Sequence, residues 1–162
     1  MLRGSSNRIR GGYNCVCFTE APLPSLADGG VNPRAYARYS PFGILVSKTW
    51  LFAQGGRPVI YQTEAEFGSC DAHRWRHVRY EIGGDEIVDF TPEREWRIQT
   101  DALAFDQSCA VVVLPSSGWT RRLREYEDEK HQLFVERYSQ VLDEDILEQY
   151  REPFWRFTAL HE

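Results

Sequence analysis

The stretch "SCAVVVLP" (Ser108 to Pro115) is the most continuous apolar run in the chain. It is short, rich in β-branched residues and stopped by a proline, which predicts a strand rather than a helix. From Gly118 onward the spacing changes, and Leu133, Phe134, Tyr138, Val141 and Leu142 recur on one side at helical intervals. The C-terminal third therefore reads as helical cover. Upstream the periodicity is that of strands. "YNCVCFTE" (Tyr13 to Glu20) follows a Gly-Gly turn and predicts a central strand ending before Pro22. A short helix opening at Asn32 or Pro33 reaches Tyr39, and "FGILVSK" (Phe42 to Lys48) predicts a buried strand. "TWLFAQGG" is a brief helix stopped by Gly55 and Gly56, and "RPVIYQ" is the next strand. "WRHVRYEI" alternates as a half-exposed strand, Gly83 and Gly84 turn into "EIVDF", and "EREWRIQT" adds another strand limited by Pro92. The expected fold is α+β: a mixed or antiparallel split sheet with short helices between strands and helices at the C-terminus.

With 162 residues the chain suits one domain, its core at about residues 12–115 and its helical cover at about 118–162. Apolar residues at 42% and charged ones at 27% are ordinary globular usage, so a packed core is expected. The formal charge of −5 argues against a partner gripped through many nucleic-acid phosphates. Basic residues are local: Arg3, Arg8 and Arg10 precede the first acidic residue, Glu20, and "HRWRHVR" is a second basic stretch. No apolar run approaches the roughly 20 residues that span a bilayer, and "MLRGSSNRIR" lacks the apolar centre of a signal peptide. A cytoplasmic protein without membrane contact is expected, its four cysteines reduced.

Cys15, Cys17, Cys70, His73 and His77 are the ligand types of a zinc site, but Cys15 and Cys17 sit one residue apart on a strand, where a metal pair normally occupies a turn. They are expected to be ordinary thiols, with no metal. Cys17 also lacks a neighbour that would lower its pKa and activate it as a nucleophile. The glycine doublets read as turns, while Arg8 and Arg10 beside Gly11 and Gly12 suit a bidentate grip on a pyrophosphate.

"DFTPEREWRI" (Asp89 to Ile98) carries the most chemistry. On a strand Glu93, Glu95 and Arg97 share one face, and Arg94, Trp96 and Ile98 share the other. Paired carboxylates separate one another's proton affinities, which suits one of them to stabilise positive charge on a sugar carbon. A surface ion-pair ladder of Glu95 with Arg97 or Arg79 explains the same spacing.

Three stretches in order, "VCFTEAPL" (Val16 to Leu23), "YSPFGILVSKTWLFAQGGRPVIYQ" (Tyr39 to Gln62) and "DFTPEREWRI", resemble the AbiGi-type abortive-infection proteins and a related family whose core ends in an E-x-E-W-R-like strand. The layout is in turn similar to the ADP-ribosyltransferase-like fold, including DarT-type toxins, which grips NAD in a split sheet. The resemblance implies that Glu95, or Glu93 beside it, is the catalytic acid that holds a ribose hydroxyl and stabilises the oxocarbenium-like transition state. It implies that Ser47 or Thr19 orients the ribose, that Tyr39 and Tyr61 stack on nicotinamide or adenine, and that Arg8 or Arg10 holds the pyrophosphate, with Arg97 lining the same cofactor site. Such families open on a His-Phe-Thr-like strand and a helix ending in a Gly-Leu turn. "MLRGSSNRIRGG" enters after that element, which implies a shortened form of reduced or absent activity.

Two functions stay open. One is an NAD-using transferase or hydrolase of a toxin–antitoxin or phage-conflict system. The other is a non-catalytic antitoxin or inhibitor that binds a protein partner, such as a defence complex or a nucleic-acid-binding protein, through its acidic C-terminal surface.

Overall fold

The computed structural model describes residues 1–27, 41–69, 71–83, 87–149 and 155–161. In chain order the elements begin β1 (Leu2–Arg3), β2 (Cys15–Thr19), α1 (Leu23–Ala27), β3 (Gly43–Val46), α2 (Lys48–Ala53), β4 (Arg57–Pro58) and β5 (Ile60–Gln62). They continue β6 (His77–Arg79), β7 (Glu95–Gln99), β8 (Ala102–Leu103), β9 (Ala110–Ser116), α3 (Ser117–Tyr138), α4 (Glu144–Gln149) and β10 (Phe157–His161). Tight 3-10 turns cover Glu64–Ser69, Asp71–Arg76 and Thr91–Glu93. The fold is α+β, its strands distributed over several small sheets. Contacts gather the chain into two compact units, Met1–Tyr39 with Val46–Asp106, and Ser40–Leu45 with Gln107–Glu162. The helix expected from Asn32 to Tyr39 lies outside the described residues.

The first unit is organised by the sheet β2-β7-β4, with β7 in the middle. Here the expectation that Tyr13 to Glu20 forms the central strand is corrected: β2 runs along one side of β7, and its own outer side carries a single bridge from Ser5 to Cys15. Register pairs Val16 with Ile98 and Phe18 with Trp96 on one face. Val16 and Ile98 join Leu103 in a buried apolar cluster against which Leu2, Phe18 and Trp50 pack. The opposite face pairs Cys17 with Arg97 and Thr19 with Glu95, so the alternation of apolar and polar residues in both strands reports a sheet with one face in the core.

Four local expectations change. Pro92 opens a 3-10 turn over Thr91–Glu93, and Arg94 closes it in the left-handed region at φ 46. The strand consequently begins at Glu95, and Glu93 and Arg94 leave the alternating faces expected for them. "RPVIYQ" is two short strands in different sheets, because β4 pairs with β7 while β5 pairs parallel with β6. In "WRHVRYEI" only His77–Arg79 is extended; Trp75 and Arg76 belong to the preceding 3-10 turn. The expected hairpin around Gly83 reduces, among the described residues, to one bridge between Glu81 and Val88.

The second unit is built on β10-β9-β3. Strand β9, formed by the most continuous apolar run of the chain, is central and buries Ala110, Val113 and Leu114. Strand β3 is an edge with Leu45 44% exposed, so the buried strand expected there is corrected. Strand β10 was expected as helical cover, yet it pairs parallel with β9 from Phe157 opposite Val112 to His161 opposite Ser116. A short run such as "FTALH" carries no decisive period of its own, and the open hydrogen-bonding edge of β9 selects the extended form. Helix α3 buries none of its side chains, while Leu147 of α4 is 2% exposed. No helix among the described residues is long and apolar enough to cross a membrane.

Candidate functional site

The polar face of β2 and β7 forms one wall of a recess of about 570 Å³ within the first unit. Its lining brings together Arg8 and Arg10 from the N-terminal segment, Cys17 from β2, Glu64, His77 and Arg79 from the middle of the chain, and Phe90, Glu93, Glu95 and Arg97. Five residues singled out in the sequence, Arg8, Arg10, Glu93, Glu95 and Arg97, thus surround one space. A recess of this size matches ordinary small-molecule sites.

Glu95 and Arg97 sit two residues apart on β7 and form a bidentate pair, Arg97 Nε and Nη2 donating to Glu95 Oε1 and Oε2 at 2.7 and 3.0 Å. Arg97 Nη1 also donates to the backbone oxygens of Trp75 and His77 at 3.1 and 2.9 Å. Only 5% of the Arg97 side chain and 14% of the Glu95 side chain are exposed, so this is a buried pair rather than the surface ladder the spacing also allowed. Burial opposes the Arg97 charge, but the hydrogen bonds and charge of Glu95 outweigh it and hold the guanidinium pKa above its ordinary value. Cys17, opposite Arg97, is reachable by solvent yet crowded by protein atoms; that desolvation, followed by the Glu95 charge, pushes its thiol up to about 12. It is therefore a protonated thiol, as the absence of an activating neighbour in the sequence implied.

His77 has no role expected from sequence beyond a dismissed zinc set. It is 3% exposed, and neither ring nitrogen has a hydrogen-bond partner. Its Nε2 lies 3.9 Å from Glu64 Oε2, beyond hydrogen-bonding distance. Glu64 is engaged instead with Arg10, whose guanidinium also covers the Phe67 ring at 4.9 Å. Phe67 meets the His77 ring edge-on at 5.0 Å. Burial first of all, helped by Arg10 and Arg97, depresses the His77 pKa against the pull of Glu64 and Glu66, which leaves the imidazole neutral near pH 7. Arg8 lines the same recess from a left-handed backbone at φ 63 and has no hydrogen bond or ion pair with any described residue. Among the described residues, the recess thus places a cation on left-handed backbone and without a hydrogen bond or ion pair beside an unsatisfied imidazole.

Of the other expected residues, Thr19, Tyr61 and Ser47 make hydrogen bonds within the fold. Thr19 donates to the Glu93 backbone oxygen at 2.5 Å and accepts from Ala21 N at 3.0 Å. Tyr61 accepts the Glu95 backbone N–H at 3.2 Å, fixing the strand beneath the carboxylate. Ser47 caps α2 by accepting from Trp50 N at 3.1 Å and does not line the recess. Tyr39 lies outside the described residues. Glu20, which the sequence reading passed over, ties the three quoted stretches together: its Oε1 accepts from Lys48 and Arg94, each at 2.9 Å, and its Oε2 from Trp96 Nε1 at 2.8 Å. The hydrogen bonds from Lys48 and then Trp96 hold its carboxyl below the usual range. Among the described residues no three side chains of metal-ligand type converge on one point; Cys70 is outside them. Comparison of the chain with family models, curated proteins and solved structures gives no match.

Proposed function

We propose that the recess binds NAD and that the protein cleaves the nicotinamide–ribose bond, as an ADP-ribosyltransferase-like or NAD-hydrolysing enzyme of a cytoplasmic toxin–antitoxin or phage-conflict system. The observation that supports this reading is the gathering of Glu95, Glu93, Arg97, Arg8 and Arg10 around one recess. A carboxylate offers about four acceptor directions, and Arg97 occupies one on each oxygen of Glu95. The Cys17 thiol also hydrogen-bonds this carboxylate, and the direction that remains is left for a ribose hydroxyl and for the positive charge that grows on the sugar as the C–N bond breaks and its electron pair leaves with nicotinamide. Arg97 holds the Glu95 rotamer, so the carboxylate needs no reorganisation during the step. Arg8 meets the pyrophosphate, with Arg10 beside it.

The test is to incubate the purified protein with NAD and measure nicotinamide release, beside a folded Glu95→Gln variant. Wild-type release with a loss of about 10²–10³-fold in the variant is expected. No release from wild type, together with no thermal stabilisation by NAD, sinks the reading.

A second reading has one observation in its favour. The 22-residue α3 buries no side chain, and Tyr126 and Leu133 are 64% and 67% exposed. A non-catalytic antitoxin or inhibitor would use this surface, with the acidic residues after Arg124, to hold a protein partner. Under it, Tyr126→Ser with Leu133→Ser abolishes the effect in cells and Glu95→Gln leaves it intact.

A further inference from the structure

We infer that Arg10, Glu64 and His77 form a partner-exchange site for a phosphate-bearing ligand: the phosphate takes Arg10, and Glu64, released from that pair, turns to His77, which takes a proton from solvent. This rests on the reading of the recess as a nucleotide site, though not on any cleavage chemistry. In the free protein one carboxylate faces two bases and satisfies one. Glu64 is paired with Arg10, while its Oε2 stops 3.9 Å from His77 Nε2. Both nitrogens of the buried imidazole are left without partners. Arg10 and Glu64 are the exposed members, with 56% and 41% of their side chains open to solvent and room to turn, whereas His77 sits on β6 with 2% of its side chain exposed.

The charged groups facing His77 are Glu64 and Glu66 from one 3-10 turn, Arg10 from the N-terminal segment and Arg97 from β7. Arg97 stays committed to Glu95 and cannot take part. A phosphate is a strong bidentate partner for a guanidinium, and Arg8, which has no hydrogen bond or ion pair among the described residues, lines the same recess and can add a second contact. Once Arg10 turns to the phosphate, the group that most favours neutral His77 through charge is withdrawn. Glu64 then closes the gap as a charge-assisted hydrogen bond to an imidazolium. Ligand binding and proton uptake are linked, and each favours the other.

The experiment is calorimetric titration of the full chain with inorganic pyrophosphate and, separately, with ADP-ribose, in two buffers of different ionisation heat, from about pH 7.5 to about pH 5.5. The expected result is uptake of a fraction of a proton up to one per ligand, with affinity rising by up to about tenfold per pH unit lowered. Uptake with pyrophosphate alone identifies a free phosphate ligand, and uptake with ADP-ribose identifies a nucleotide; either supports the exchange. Glu64→Gln, at an exposed position, binds more tightly at about pH 7.5, because Arg10 is no longer shared, and takes up no proton. His77→Gln binds without proton uptake. Should that variant fail to fold, the wild-type His77 ring resonance, identified by elimination with His73→Gln, His131→Gln and His161→Gln, must move to its protonated position when ligand is added at constant pH. Binding without proton uptake by wild type, binding unchanged by Arg10→Gln, or no binding of either ligand overturns the inference. Neither ligand has a nicotinamide bond to cleave, so a failure of NAD turnover leaves these outcomes untouched.

Discussion

Arg97 keeps its charge in the interior because four of its five N–H groups are met: Glu95 accepts from Nε and Nη2, and the carbonyls of Trp75 and His77 accept from Nη1. Removing one partner of such a pair leaves the other charge buried, so Arg97→Leu should cost about 3–5 kcal/mol in urea denaturation. Glu95→Gln should cost less, since its amide oxygen still accepts from Arg97, which is what makes that variant usable in the turnover assay. His77 sets a pH dependence in the ligand-free protein. Its folded pKa lies below the ordinary 6.5 because burial disfavours the charged ring. The unfolded chain therefore binds the proton first, and the stability His77 contributes is present above pH 6.5 and lost as pH falls through the folded value. The denaturation midpoint of wild type should decline over that window, and His77→Gln should flatten the decline. Glu20, Glu66 and Asp89 are also depressed, but from carboxylate values, so their share of acid sensitivity begins at lower pH.

Among the elements, α2 was the most legible. Gly55, at φ 94, supplies the expected left-handed turn that stops the helix, whereas its start differs: the strand expected over Phe42 to Lys48 takes in Ser47 and Lys48, and the structure makes them the N-cap and first residue of α2. Replacing Ser47 by Ala should lower stability by about 0.5–2 kcal/mol while leaving the NAD KM unchanged. A rise in KM at constant stability would instead return Ser47 to the ribose-binding role the resemblance implied. The pair β2 and β7 was legible as alternation, though not as position. Which strand stands in the middle depends on how many neighbours each finds, and that information is spread over β4, Ser5 and β2. Strand β10 was illegible for a related reason. Five residues of mixed character take whichever form satisfies their backbone, and the edge of β9 decides it.

At the scale of the molecule, the residues that line the recess all belong to the first compact unit, while β9, α3, α4 and β10 build the second. Leu114, 2% exposed in the core of the second unit, gives a way to separate the two. Leu114→Ala should cost about 2–5 kcal/mol in thermal or chemical denaturation, yet leave ligand affinity at the recess unchanged below the unfolding temperature. The sequence by itself determined the α+β class, the strand around Ser108 to Pro115, the brief helix α2 with its glycine stop and the presence of Glu95 and Arg97 on one strand face, because these follow from periods of two and 3.6 residues and from stop signals that act within one turn. Only the tertiary structure decided that Arg97 is buried with its carboxylate and that Glu20 joins three distant stretches. It alone brought Arg8, Arg10, Glu64 and an unsatisfied His77 to the same recess. Such meetings depend on strand register and on the path of the connecting turns, and no local pattern encodes which distant side chain will arrive opposite.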